Sequence, residues 1–284
     1  MIDAAYDVRI GKKLAGPDRP RAHVEWEMVH HVRLVLARVL ALLFAASWIV
    51  VPGFGAIDLS VTWDPDWPQV LEAGWGLFFT VLVGVAFLVI AARPRSTGPA
   101  FAQLAVATIA LAVSVVAGRE AALTWVPVLL PVETVVVVWL ARSSWRSALA
   151  SRGANAPMLA FAALGVVPWL AYAVDMWAAN REGRPDSDIT NGIDHYAVQG
   201  ALGLALAVLP ALAALRPALI PLAPVCAGIA AAYLGLVSFA WEDAAGGFGR
   251  AWSAAAMAWG LCLVAVSLTA AVRRSRRAVG RTTP

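Results

Sequence analysis

The sequence predicts an all-α fold: a polytopic transmembrane bundle of about eight helical spans. Three observations predict it. Of the 284 residues, 61% are hydrophobic and 14% charged, against roughly half and a quarter in a soluble domain. Eight apolar runs are each long enough to cross about 30 Å of hydrocarbon as a helix. Basic residues gather in alternate connections, as the positive-inside rule asks of a multi-pass chain.

Residues 1–33 are polar and charged. They are too long for the n-region of a cleaved signal, so the first apolar run is expected to stay as an anchor. Within this N-terminal segment Glu27, His30 and His31 fall on one helical face, which suits an interfacial helix lying on the membrane. The transmembrane domain covers 34–272. Its spans are expected at 34–52, 75–92, 100–117, 121–141, 157–174, 196–215, 218–240 and 250–272. Backbone amides find no water in lipid, so each span must be helical, and none shows the alternation of a barrel strand. Residues 273–284 form a basic tail, with Arg273, Arg274, Arg276, Arg277 and Arg281, expected to hold anionic lipid.

Arg9, Lys12, Lys13, Arg19, Arg21, Arg33 and Arg38, then Arg93 and Arg95, then Arg142, Arg146 and Arg152, then Arg216, share one side with this tail. The other side carries only Arg119, Arg181, Arg184 and Arg250, among many carboxylates. Both termini are therefore expected in the cytoplasm, with the chain in the cell (inner or plasma) membrane. Arginine far outnumbers lysine, and with heavy Ala, Gly and Pro usage this suits a GC-rich, bacterial genome. Trp48, Trp63, Trp67, Trp75, Trp125, Trp169, Trp177, Trp241 and Trp252 fall near predicted outer ends, and Trp26, Trp139 and Trp145 near inner ends. They read as interfacial belts.

The loop before the second span carries Asp64, Asp66 and Glu72, and the loop before the sixth carries Asp186, Asp188 and Asp194. Each acid of the first set lies 122 residues before its counterpart. The same step maps span one on five and three on seven. This points to parallel four-plus-four repeats, 34–141 and 157–272, whose acidic loops would face each other near the pseudo-axis.

The richest polar stretch holds Asp175, Asn180, Arg181, Glu182, Asp186, Asp188, Thr190, Asn191, Gly192, Asp194, His195 and Gln199. Oxygen donors suit Ca²⁺ or Mg²⁺, and an added imidazole suits Zn²⁺ or Mn²⁺. Asp186, Asp188, Asp194 and His195 are thus the candidate ligands of a divalent cation at the outer face. The alternative is that Asp194 only caps span six, His195 is interfacial, and the rest is solvated loop. Asn191-Gly192 signals a turn, and the spacing does not fit an EF-hand.

Inside the membrane the notable residue is Glu133, close to Pro127 and Pro131. A carboxyl at that depth must be protonated, paired or wet, and the prolines should kink the span. Arg38, one turn into the first span, is its candidate partner, or else it snorkels inward. Gly76, Thr80 and Gly84 form a small-xxx-small strip that predicts close packing. Pro168, Pro210, Pro221 and Pro224 should bend their spans. Cys226 and Cys262 sit in apolar runs, without zinc or disulfide spacing.

No P-loop, dinucleotide fingerprint, G-x-S-x-G or H-E-x-x-H occurs. No span carries the lysine a retinal Schiff base needs, and nothing argues for nucleic acid. Three function classes remain. One is a permease for a small solute or cation, with an acidic mouth that concentrates cations. One is a metal-dependent enzyme at the outer face. For it, Asp64 and Asp66 resemble the metal-binding D-x-D acids of polytopic glycosyltransferases that use lipid-linked sugars, over three residues. The third is a non-catalytic subunit or sensor. The lipid bilayer is the expected partner, and a homo-oligomer fits all three.

Overall fold

A computed structural model describes residues 19–142, 150 and 153–279, with side chains from Met28 to Arg276 except that of Ser275. Arg9, Lys12, Lys13, Arg146, Arg152 and Arg281, Trp145, and the side chains of Glu27, Trp26 and Arg277 lie outside the described residues.

The first helix, α1 (Arg19–Ile49), runs without a break through the position where the interfacial segment was expected to end. After it come α2 (Gly55–Val61), α3 (Gln69–Ala92), α4 (Gly98–Gly118) and, behind a 3₁₀ turn (Ala121–Thr124), α5 (Trp125–Ala141). Then follow α6 (Ala156–Glu182), a two-stranded hairpin of β1 (Ile189–Thr190) and β2 (Ile193–Asp194), α7 (His195–Leu215), α8 (Leu222–Ala240) and α9 (Gly249–Val279). All but α2 are long and apolar enough to cross a bilayer. The chain is an all-α, multi-pass membrane protein. The loops that begin after α1, α4, α6 and α8 gather at one end of the bundle, here the acidic end; the opposite end is the basic end.

Burial divides the spans. In α3 and α7, 67% and 72% of the span is buried, against 28% in both α1 and α6. The two central helices pack on each other near the acidic end, and each also packs on a central helix of the other half, α3 on α8 and α7 on α4. In the same way α1 lies on α3 as α6 lies on α7, and α4 on α5 as α8 on α9.

Small residues allow the close crossings. A Cβ on Gly76 would meet the Leu59 side chain at 2.5 Å, and one on Gly84 would meet Ile49 at 2.5 Å, so the predicted strip does seat α3 on α2 and α1. Gly228 and Gly260 bring α8 and α9 backbone to backbone: a Cβ on Gly228 would lie 2.7 Å from the Gly260 carbonyl oxygen.

Two expectations need correction. Helix α3 starts at Gln69, a turn and a half before its predicted start, because Gln69 and Glu72 are covered by protein instead of lipid. Pro131, Pro168 and Pro210 lie inside helices, but Pro221 and Pro224 stand at the start of α8 and Pro127 in the first turn of α5. A missing N–H there removes no helical bond. Within α3, Leu77–Gly84 is wound as a π-helix, a local departure often found beside functional sites.

Candidate metal centre

The acidic loops bring together residues from both halves of the chain. Glu72 sits in the first turn of α3. Gly74 lets this turn lie against α7, since a Cβ there would fall 1.3 Å from Oε1 of Gln199. From the other side, Asn191 and Gly192 take positive φ values of 55° and 76°, as a two-residue type I′ hairpin turn requires. The register pairs Ile189 with Asp194 and Thr190 with Ile193. Asp194 ends the hairpin as the N-cap of α7: its Oδ1 accepts from the Tyr196 N–H at 2.9 Å and from the Ser187 hydroxyl at 2.5 Å. The hairpin thereby folds Asp188 and Thr190 over His195, whose own N–H donates to the Asp188 carbonyl at 3.1 Å.

Glu72, Asp188 and His195 each offer one ligand atom, and these atoms lie within 4.8 Å of one another. His195 Nδ1 stands 3.4 Å from Glu72 Oε1, with side chains 0% and 1% exposed. Neither atom has a hydrogen-bond partner. The other imidazole nitrogen, Nε2, is held by the Thr190 hydroxyl at 3.0 Å, and the Trp75 ring stacks on the imidazole at 4.5 Å. Asp188 completes the set, with its carboxylate beside Glu72 and His195.

Asp58, buried on α2, completes the acidic surroundings, and its Oδ2 is also unpartnered. Burial, and then the charge of Asp188, push its carboxyl up to about 7. Asp188 instead lies below the usual carboxylate range. Burial raises it, but the hydrogen bond with Glu72, the Ile189 N–H and the charge of His195 outweigh that effect.

The spacing suits a small ion. Two ligands at about 2.1 Å from a tetrahedral centre are separated by about 3.4 Å, the distance between Glu72 Oε1 and His195 Nδ1. Two carboxylates with one imidazole match Zn²⁺ or Mn²⁺ better than Ca²⁺. An imidazole oriented through its second nitrogen is the usual arrangement for a metal-binding histidine.

Of the four ligands expected from sequence, Asp188 and His195 are in this cluster. Asp194 caps α7, and Asp186 is exposed with φ 61°. Glu72, expected only as a loop acid, joins them. Asp64 and Asp66 are exposed, and Asp64 Oδ1 accepts from the Asp66 N–H at 3.0 Å. Asn191 donates to the Pro52 carbonyl at 2.8 Å, which ties the hairpin to the α1–α2 loop. Asp175 pairs with Arg184 at 2.9 Å on the surface. Gln199 donates to the Val70 carbonyl and the Tyr172 hydroxyl. The expected Glu133–Arg38 pair does not form. Glu133 Oε2 accepts from Trp48 Nε1 at 2.7 Å. Arg38 is exposed and lies ten residues, about 15 Å, along α1 from Trp48. Trp48, Trp75, Trp169 and Trp177, assigned to a boundary belt, are buried. Thr190 stands in the polar stretch named from the sequence but not among its expected ligands, and Asp58 is not among them either.

A cavity of about 620 Å³ lies apart from the cluster, between α6 and α9, lined by Leu164, Pro168, Trp169, Trp252 and Trp259 with Tyr172 at its wall. No family model, no curated protein and no solved structure matches the chain.

Proposed function

We propose that the protein is a divalent-cation permease whose outward-facing entry site is Glu72, Asp188 and His195. One observation carries the reading: a buried imidazole nitrogen and a buried carboxylate oxygen face each other at 3.4 Å, neither in a hydrogen bond, with Asp188 beside them. A contact that long is a weak match for two buried polar atoms, and an ion between them satisfies both at once. Protons compete with the ion here, because carboxylate and imidazole ligands bind a metal only in their deprotonated forms.

The site's place supports transport. Glu72 belongs to the first half and Asp188 and His195 to the second, so the ion would sit where two repeats meet, the usual location in repeat-built transporters. The repeated order of burial and packing supports the four-plus-four duplication. The π-wound stretch of α3 lies directly below the site, and exposed acids at this end would draw cations.

Purified protein should gain stability with Zn²⁺ or Mn²⁺, by about 2.7 kcal/mol at a hundred times the dissociation constant, and much less with Mg²⁺. Proteoliposomes should take up the same ion, and His195→Ala should lose both effects. Absence of binding by any divalent cation overturns the site. Binding without uptake overturns transport and leaves the outer-face enzyme, which the lateral apolar cavity favours as a seat for an amphiphilic substrate.

A further inference from the structure

A continuous line of rings joins the acidic-end cluster to Glu133. Trp75 stacks on His195 at 4.5 Å and 22°. Phe79 packs on Trp75 at 4.9 Å, and Trp48 lies parallel to Phe79 at 5.3 Å and 8°. Trp125 covers the other face of this line, stacked on Trp48 at 6.0 Å and 10°. Trp48 then donates its indole N–H to Glu133. Phe79 belongs to the π-wound stretch of α3, so the line passes through the one part of the central helices that departs from α-helical winding.

Glu133 lies in α5, eight residues or about 12 Å beyond Trp125, and is 7% exposed. The charged and titratable groups of the elements packed around it are distant or engaged elsewhere. On α1, His30, His31 and Arg38 are exposed. Arg33 binds the Trp139 carbonyl near the basic end and sits 4.7 Å from the Trp139 ring. Helix α4 carries no titratable residue between Gly98 and Gly118, and α3 carries none after Glu72 until Arg93. One neutral N–H donor does not offset the burial of a carboxylate in hydrocarbon, whereas a protonated carboxyl accepts that bond without a charge to desolvate.

We propose that Glu133 is a proton-binding site within the membrane, coupled through the ring line to cation occupancy at Glu72, Asp188 and His195. The coupling rests on the metal reading above; the proton site does not. An ion bound to Nδ1 would fix the imidazole, and with it the stacked Trp75. Phe79 and Trp48 would follow, and the indole that solvates Glu133 would shift. Such a mechanical path needs a direct test of coupling.

Dicyclohexylcarbodiimide supplies it. A protonated carboxyl adds its O–H across one C=N bond of the reagent. The acyl group then migrates from oxygen to nitrogen, giving a stable N-acylurea with no leaving group and no change of oxidation state. Full-length protein in proteoliposomes is treated with and without saturating Zn²⁺, and the adduct is located by peptide mass spectrometry. The expected result is labelling at Glu133, lost in Glu133→Gln, with a rate changed at least about threefold by Zn²⁺. Phe79→Leu should abolish the zinc effect while zinc binding, measured separately, persists. An unlabelled Glu133 in folded protein overturns the proton site. A labelling rate indifferent to Zn²⁺ that demonstrably binds overturns the coupling. Absence of zinc binding overturns the metal reading and the coupling with it, while the labelling result still decides the proton site.

Discussion

Thr190→Val removes one hydroxyl and leaves a β-branched side chain of nearly the same shape on β1, where such residues are favoured. That hydroxyl is the group on His195 Nε2, at 3.0 Å. Without it the imidazole loses the contact that fixes its orientation and leaves Nδ1 to face the ion. Removing an outer contact of this kind costs about 10–100-fold in metal affinity, or about 1.4–2.7 kcal/mol. The consequence for stability follows directly. At a Zn²⁺ concentration of about a hundred times the wild-type dissociation constant, the wild type gains about 2.7 kcal/mol, and a variant weakened 100-fold gains only about 0.4 kcal/mol. Calorimetric titration with a competing chelator measures the first quantity, and melting with and without Zn²⁺ the second. Ser187→Ala is the control, because Ser187 serves the Asp194 cap and not the imidazole. A Thr190→Val protein that melts like the wild type without metal and binds Zn²⁺ equally tightly would refute the role of the Thr190 hydroxyl in presenting Nδ1 to the ion.

Two further predictions concern the surroundings. Gly74→Ala places a methyl group 1.3 Å from Gln199 Oε1, which forces Gln199 off the Val70 carbonyl and the Tyr172 hydroxyl. The expected loss is about 2–4 kcal/mol, partly recovered by adding Gln199→Ala and absent in Gly118→Ala, where the nearest atom is 3.7 Å away; additive effects in the double variant would contradict the contact. Asp58→Asn tests the carboxyl held up to about 7. With the folded value above the unfolded 3.8, the folded state keeps its proton longer, so stability is full below about pH 4 and declines until about pH 7. At about 1.36 kcal/mol per pH unit the ceiling is about 4 kcal/mol, and solvent screening reduces it to roughly 2. In chelator, the variant should therefore melt higher than the wild type at pH 8 and alike at pH 4; parallel curves would show that Asp58 does not titrate in this range.

The spans were legible because hydrocarbon imposes a local rule: a run of about 20 apolar residues must be a helix. The hairpin turn at Asn191-Gly192 was legible for an equally local reason, since few residues accept two successive positive φ values. Asp188 and His195 could be singled out by residue type within one loop. Their third companion, Glu72, is legible as an acid of a facing loop but not as a ligand, because it meets them only through the crossing of α3 on α7, a register set by the fit of Gly74 against Gln199. The partner of Glu133 is hidden for a related reason: charge favours Arg38, whereas the helical rise of α1 puts Trp48 at the level of Glu133. The buried tryptophans show the same limit: an indole near the end of a span suits a lipid boundary and a protein core equally.

The glycine contact between α8 and α9 decides where this molecule can bend. Two backbones that touch at Gly228 and Gly260 cannot slide past each other without a collision of carbonyl and Cα, so the pair resists shear. The winding of α3 differs in kind: its Leu77–Gly84 stretch is π-helical, a departure that leaves the helix less uniformly bonded than α8 or α9.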